Sequence, residues 1–206
     1  MARYVEVHPT DPQPRAIAQV AAILRRGAVI AYPTDSVYAL GTRMDDHDGA
    51  ERIRRIRRLD ERHHLTLVCA DFAQLGQLVV LSNNAFRAIK AATPGPYTFI
   101  LPATGEVPRR LAHPKRRSVG VRIPADPVAQ ALLRELGEPL LSSSLLLPGA
   151  DWPPTEGWQI REQLDDVLDA ILDGGERGMD PSTVVDWTDG EPKVVRAGAG
   201  DPDRFR

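Results

Sequence analysis

The stretch from Val29 to Gly41, VIAYPTDSVYALG, constrains this chain more than any other. Val29 to Tyr32 is a short apolar run of the kind that makes a buried strand. Pro33 stops it, because proline has no N–H to give a neighbouring strand and holds Tyr32 extended. Thr34, Asp35 and Ser36 then set three short oxygen-bearing side chains where a helical turn would begin, with Gly41 suited to close it. A strand running into a helix N-terminus presents free N–H groups that suit a carboxylate or a phosphate. The plainer alternative is a strand followed by an ordinary capped turn. The stretch alone specifies an anion pocket and no reaction.

Around it, helical and strand patterns alternate. Arg3–Val7 reads as an edge strand and Arg15–Arg26 as an amphipathic helix ended by Gly27. The helix predicted over Asp45–Leu59 has an acidic start and an arginine-rich end, matching its dipole. Leu65–Cys69 reads as a buried strand, and Asp71 and Ser82 cap helices over 71–78 and 83–92. Strands follow at Tyr97–Leu101 and Val119–Ile123. Asp126-Pro127 opens a helix that Gly137 closes. Leu140–Ser143 is a strand, 148–158 a proline-rich loop, Ile160–Asp166 a short helix and Ala170–Leu172 a strand. Asp189-Gly190 turns a hairpin between Thr183–Trp187 and Lys193–Arg196. This order predicts one α/β domain over residues 1–206, an open, twisted, mixed parallel and antiparallel sheet with flanking helices.

The 206 residues suffice for one well-buried core. A net charge of −2 means that nucleic-acid affinity must come from a local patch. The single cysteine, Cys69, excludes an internal disulfide framework and a cysteine metal cluster, and its apolar setting predicts a buried thiol. No apolar run approaches the roughly 20 residues that span a bilayer, so a cytoplasmic protein is expected.

Arg52, Arg54, Arg55, Arg57, Arg58 and Arg62 form a basic helix and its extension. They read either as a solvated face paired with Glu51, Asp60 and Glu61 or as a wall for phosphate or RNA. Arg109, Arg110 and Lys115–Arg117 form a second cluster. Ser142, Ser143 and Ser144 put hydroxyls at a strand end, as capping groups or ligand contacts. Arg122 and Arg196 lie in apolar strands and need an anion or a structural carboxylate such as Asp126 or Asp186. Adjacent His63 and His64 lack a third nearby ligand, which weakens a metal reading. No carboxylate pair is spaced for acid–base work and no Ser–His–Asp order is legible, so catalysis, if any, would rest on positioning and charge stabilisation.

YPTDSVYALG resembles the Y-P-T-[ED]-x-x-Y-G-L-G signature of the YrdC/YciO family, the threonylcarbamoyl-adenylate synthases and their relatives. TPGPYTFILP at 93–102, VGVRIP at 119–124, GEPLLSSS at 137–144, ILDGG at 171–175, PSTVVD at 181–186 and VVRAG at 194–198 follow in the family's order. The wording of TPGPYTFIL, EVPRRL and SSSLLLPG is closest to the YciO branch. The resemblance implies a YrdC-like fold and a site that takes nucleotide and threonine-type ligands through Thr34, Tyr38, Arg57, Thr98, Arg122, Ser142, Ser144, Ser182, Thr183 and Arg196. In the family, threonine, bicarbonate and ATP, the last with Mg²⁺, give threonylcarbamoyl-adenylate and pyrophosphate for tRNA modification. Two positions depart from the synthase pattern: Leu59 stands at the arginine of Lys-x-Arg and Leu146 at the asparagine of Ser-x-Asn. The alternative is an RNA-binding module, for tRNA or duplex RNA, that uses Arg52, Arg54, Arg55, Arg58 and Arg62 with little or no synthase activity.

Overall fold

A computed structural model describes residues 1–60 and 63–205. Ten strands form one sheet: β1 (Arg3–Glu6), β2 (Ile30–Tyr32), β3 (Ala39–Arg43), β4 (Thr66–Val68), β5 (Tyr97–Pro102), β6 (Ser118–Arg122), β7 (Leu140–Ser144), β8 (Ala170–Asp173), β9 (Thr183–Asp186) and β10 (Lys193–Arg196). Their order is β1-β8-β2-β3-β7-β4-β6-β5-β9-β10. Parallel pairs (β1–β8, β4–β6, β5–β9) mix with antiparallel ones (β2–β3, β3–β7, β5–β6, β9–β10), as expected from the alternation of helical and strand patterns.

Six helices flank the sheet: α1 (Pro14–Arg25), α2 (His47–Arg57), α3 (Phe72–Leu78), α4 (Asn83–Ala92), α5 (Pro127–Leu136) and α6 (Gly157–Leu164). Their ends obey local chemistry. Asp71 accepts the Gln74 N–H at 2.8 Å, Ser82 that of Ala85 at 3.2 Å, and Asp126 those of Val128 and Ala129 at 2.9 Å. Gly137 closes α5 at a φ of 78°, where a side chain would be strained. The apolar faces of α1 and α5 bury Ile17, Val20, Leu24, Leu132 and Leu133 against one half of one sheet face. On the other face, α2, α3, α4 and α6 bury Ile53, Leu75, Ile89 and Ile160.

The expected helical turn after Pro33 does not form. Residues 39–43 are instead strand β3, antiparallel to β2 with Ile30 opposite Gly41 and Tyr32 opposite Ala39. The hydroxyls close the intervening bend on itself: Thr34 Oγ1 donates to the Val37 carbonyl at 2.6 Å and accepts the Ser36 N–H at 3.2 Å. Gly41 therefore serves as space and ends no helix. A Cβ there would lie 2.8 Å from Cε1 of the fully buried Tyr32. α6 also starts earlier than expected, at Gly157.

Candidate functional site

Side chains alternate along each strand, so every second residue faces the side of the sheet that carries α1 and α5. Those two helices cover the β1–β8–β2–β3 side and pack on Leu140 of β7 and Val68 of β4, and beyond them that face is open. One straight cross-strand row forms its floor: Ser142 pairs with Thr66, Thr66 with Gly120, Gly120 with Ile100, and Ile100 with Asp186. The floor is low because Gly120 has no side chain; a Cβ would stand 3.3 Å from Thr66 Oγ1. A cavity of about 420 Å³ stands over this row.

Arg57, Arg122 and Arg196 reach the cavity from α2, β6 and β10, and Thr34, Ser144 and Ser182 line it with them. The nominated residues converge although the chain scatters them from one end to the other. Arg122 is 6% exposed. Its Nη2 donates to Ser36 Oγ at 3.0 Å and Thr34 Oγ1 at 3.4 Å and pairs with the Asp35 carboxylate. Its counterion is thus Asp35, whereas Asp126 is held by Arg177 at 2.7 Å. Arg57 donates to Ser143 Oγ at 2.8 Å and to the Ser144 carbonyl. Arg196 donates through Nη2 to the Ser182 carbonyl at 2.8 Å, while Asp186 pairs with Arg116. Among the described residues, Nε of Arg57 and Nε of Arg122 are buried without an acceptor. Burial and the nearby Arg196 lower the pKa of Arg57, and burial and Arg122 lower that of Arg196.

Neutral groups fix the rest. Ser142 Oγ donates to the Leu40 carbonyl at 2.8 Å, so the Tyr32 hydroxyl, 2.8 Å away, is the donor to Ser142. Burial pushes that phenol up to about 12, so it stays protonated. Thr98 Oγ1 and Ser182 Oγ meet at 2.8 Å.

Two nominated residues sit elsewhere. The Tyr38 hydroxyl lies 2.7 Å from the Gly175 carbonyl and 3.0 Å from Asp173 Oδ1, tying β3 to the end of β8. Thr183, fully buried, takes the Gly198 N–H at 2.9 Å and holds the C-terminal segment. Of the two departures, Leu146 lines the cavity, but Leu59 packs half-buried on the core under α2. Arg116, of the second basic cluster, also lines the cavity, as do Thr66, Gly120 and His113, which escaped the sequence reading. A glycine inside an apolar strand was the available signal for Gly120; nothing local marks the others.

The arginine helix is divided. Arg52 pairs with Asp169 at 2.7 Å and Arg54 with Glu51 at 2.8 Å, whereas Arg55 and Arg58 are exposed. Arg62 lies outside the described residues. Arg110 donates to the Met44 carbonyl at 2.8 Å, which brings the second basic cluster beside the start of α2. Cys69 is buried, its thiol pushed up to about 12. Among the described residues no group of three or more His, Cys, Asp or Glu could hold a metal ion. No helix among them is long and apolar enough to cross a membrane.

An open mixed sheet flanked by helices, with a cavity lined by three arginines on the part of one face that α1 and α5 leave uncovered, defines the protein's class as single-domain α/β. The chain belongs to the Sua5/YciO/YrdC family, whose model, described as "Telomere recombination", matches residues 22–198. It is 48% identical to YciO of Escherichia coli K12, an uncharacterised protein, over 205 residues and 100% of both chains. The crystal structure of E. coli YciO superposes with a TM-score of 0.96, covering 100% of both chains. The threonylcarbamoyl-AMP synthase of Bacillus subtilis is 33% identical, covering 94% of this chain and 55% of its own. P. abyssi Sua5 complexed with L-threonine superposes with a TM-score of 0.86 at 30% identity, covering 95% of this chain and 57% of its own. The protein is thus related to the threonylcarbamoyl-AMP synthases.

Proposed function

We propose that the cavity binds an adenylate together with a threonine-type carboxylate, and that the protein acts on threonylcarbamoyl-adenylate in tRNA modification. The observation that carries this reading is the pair of buried arginine Nε atoms, on Arg57 and Arg122, whose residues line one cavity and which have no acceptor among the described residues. A buried donor left unpaired costs about 1–3 kcal/mol, which an anionic ligand would recover. Threonylcarbamoyl-adenylate carries the two anions such a site needs, a carboxylate and the phosphate of a mixed carbamic–phosphoric anhydride. Arg122 with the Thr34 bend suits one and Arg57 with Arg196 the other.

Positioning and charge stabilisation are the chemistry these residues can supply. Three guanidinium groups hold the anionic ends of the ligand and offset negative charge developing on phosphate oxygens. Where ATP is the ligand, Mg²⁺ enters as part of that substrate, carried by its phosphates. Leu146 gives the cavity wall an alkyl group where the synthase pattern has an amide, so ATP is the weaker ligand. The test is calorimetry with threonylcarbamoyl-adenylate, AMP and threonine, paired with incubation in ATP, bicarbonate and labelled threonine. Binding of adenylate that disappears in Arg122→Met supports the reading. Absence of any adenylate or threonine binding removes it.

A second reading, docking of tRNA or duplex RNA, is favoured by one observation. Arg110 contacts Met44 beside the start of α2, and Arg55, Arg58, Arg109, Lys115 and Arg117 are exposed.

A further inference from the structure

The mouth of the cavity carries three histidines that the adenylate reading leaves unused. His63 and His64 follow α2, and His113 lies in the connection between β5 and β6; all three line the cavity. The rings of His64 and His113 lie 5.1 Å apart at a 49° tilt. Nδ1 of His113 accepts the backbone N–H of Lys115 at 3.2 Å and of Arg116 at 3.1 Å. These bonds leave its proton on Nε2, a donor for a ligand. Arg116, in the same turn, lines the cavity and pairs with Asp186 at 3.4 Å. Among the described residues, the charged groups facing the trio are Arg54 and Arg57 of α2, Arg196 of β10, and Asp186 of β9. Asp60 joins them, accepting the His63 backbone N–H at 2.9 Å. Among the described residues, cations outnumber carboxylates around the rings.

We propose that His63, His64 and His113, with Arg116, form a polyphosphate subsite at the cavity mouth, holding free pyrophosphate or the pyrophosphate end of a nucleoside triphosphate. This rests on the reading of the cavity as an anion site. It supplies at the mouth the contacts that Leu59, packed on the core, and Leu146, an alkyl group, do not supply. The subsite is conditional on pH. Burial and Arg57 hold His63 below its usual range, and burial and His113 do the same for His64. Without a ligand, both rings are therefore mainly neutral at neutral pH. A polyanion stabilises their protonated form, so its binding takes up protons and tightens as pH falls. Pyrophosphate itself gains negative charge as pH rises, which by itself pulls affinity the other way. The direction of the trend thus separates the histidines from the ligand.

The experiment is calorimetry of the full chain with pyrophosphate at about pH 6 and about pH 8, either side of the ordinary histidine range, in buffers of differing ionisation enthalpy. The expected result is binding about tenfold or more tighter at the lower pH, with net proton uptake, as charge-assisted hydrogen bonds replace neutral ones. The combined variant His63→Gln, His64→Gln and His113→Gln should bind weakly at both. His64→Lys, a permanent cation, should retain at the higher pH much of the affinity that the natural protein shows at the lower. Pyrophosphate affinity that is flat or rises with pH in the natural protein, or a Gln variant that matches it, overturns the subsite. A parallel AMP titration separates the two readings. Normal AMP binding with pH-independent pyrophosphate binding retires the subsite alone. Pyrophosphate behaving as expected without any AMP binding supports the subsite and retires the adenylate reading.

Discussion

Leu146 is the residue on which the balance between the protein's possible ligands turns. It faces the cavity where the synthase pattern has an asparagine, whose amide both donates and accepts hydrogen bonds. A polar ligand group left against an alkyl wall loses about 1–3 kcal/mol, or roughly one to two powers of ten in affinity. Leu146→Asn should therefore strengthen ATP·Mg²⁺ binding by about tenfold in calorimetry at about pH 8. No gain would mean that the wall has been reshaped for another ligand. Leu59 offers no parallel test, because it is half-buried on the core and an arginine there would be drawn out of it. The sequence showed both departures but not this difference, since which side of a helix end faces a cavity is decided by tertiary packing. The same limit applies to Arg122. Its need for an anion was legible from burial, but Asp126 was as plausible a partner as Asp35 until packing gave Asp126 to Arg177 and the helix cap.

At the scale of elements, helices were legible because their signals are local. Asp71, Ser82 and the Asp126-Pro127 pair each act within a single turn. β3 was not. Thr34, Asp35 and Ser36 are equally good at starting a helix and at closing a bend, and the choice is made by pairing with β2 and β7. Gly41 supported the wrong option because a glycine near a chain reversal reads as a helix end. Its actual role is room for the Tyr32 ring, whose hydroxyl sets Ser142 on the cavity floor. Gly41→Ala should destabilise the protein by about 1–3 kcal/mol, the usual penalty of overpacking. Urea unfolding would show it as a lower midpoint at unchanged slope. A neutral result would mean that the Tyr32 ring moves aside freely, and adenylate binding should then weaken with it.

At the scale of the whole molecule, a net charge of −2 coexists with a cavity lined by Arg57, Arg116, Arg122 and Arg196, because among the described residues Asp186 is the one carboxylate in its lining, with Asp35 paired to Arg122 beside it. Among the described residues, Arg55, Arg58, Arg109, Lys115 and Arg117 are exposed cations that duplex RNA would meet. Neutralising five phosphates gives a log–log salt slope of about −4.5, at about −0.9 per contact. A steeper slope would require further cations. Inside the cavity the arginines repel one another in series, Arg57 against Arg196 and Arg196 against Arg122. Arginine does not shed its proton at accessible pH, so this repulsion persists as lost stability of the ligand-free protein. Function and stability therefore oppose each other at Arg57. Arg57→Met should raise the unfolding temperature of the ligand-free protein in low salt, by about 2–4 °C if about 1 kcal/mol of repulsion is relieved. Inorganic phosphate should stabilise the natural protein, by about 2.7 kcal/mol at a hundredfold excess over its dissociation constant, and should have little effect on the variant. A lower unfolding temperature for Arg57→Met would show that its hydrogen bonds to Ser143 and Ser144 at the end of β7 outweigh the repulsion. Arg57 would then be a strut of the fold first and a ligand contact second.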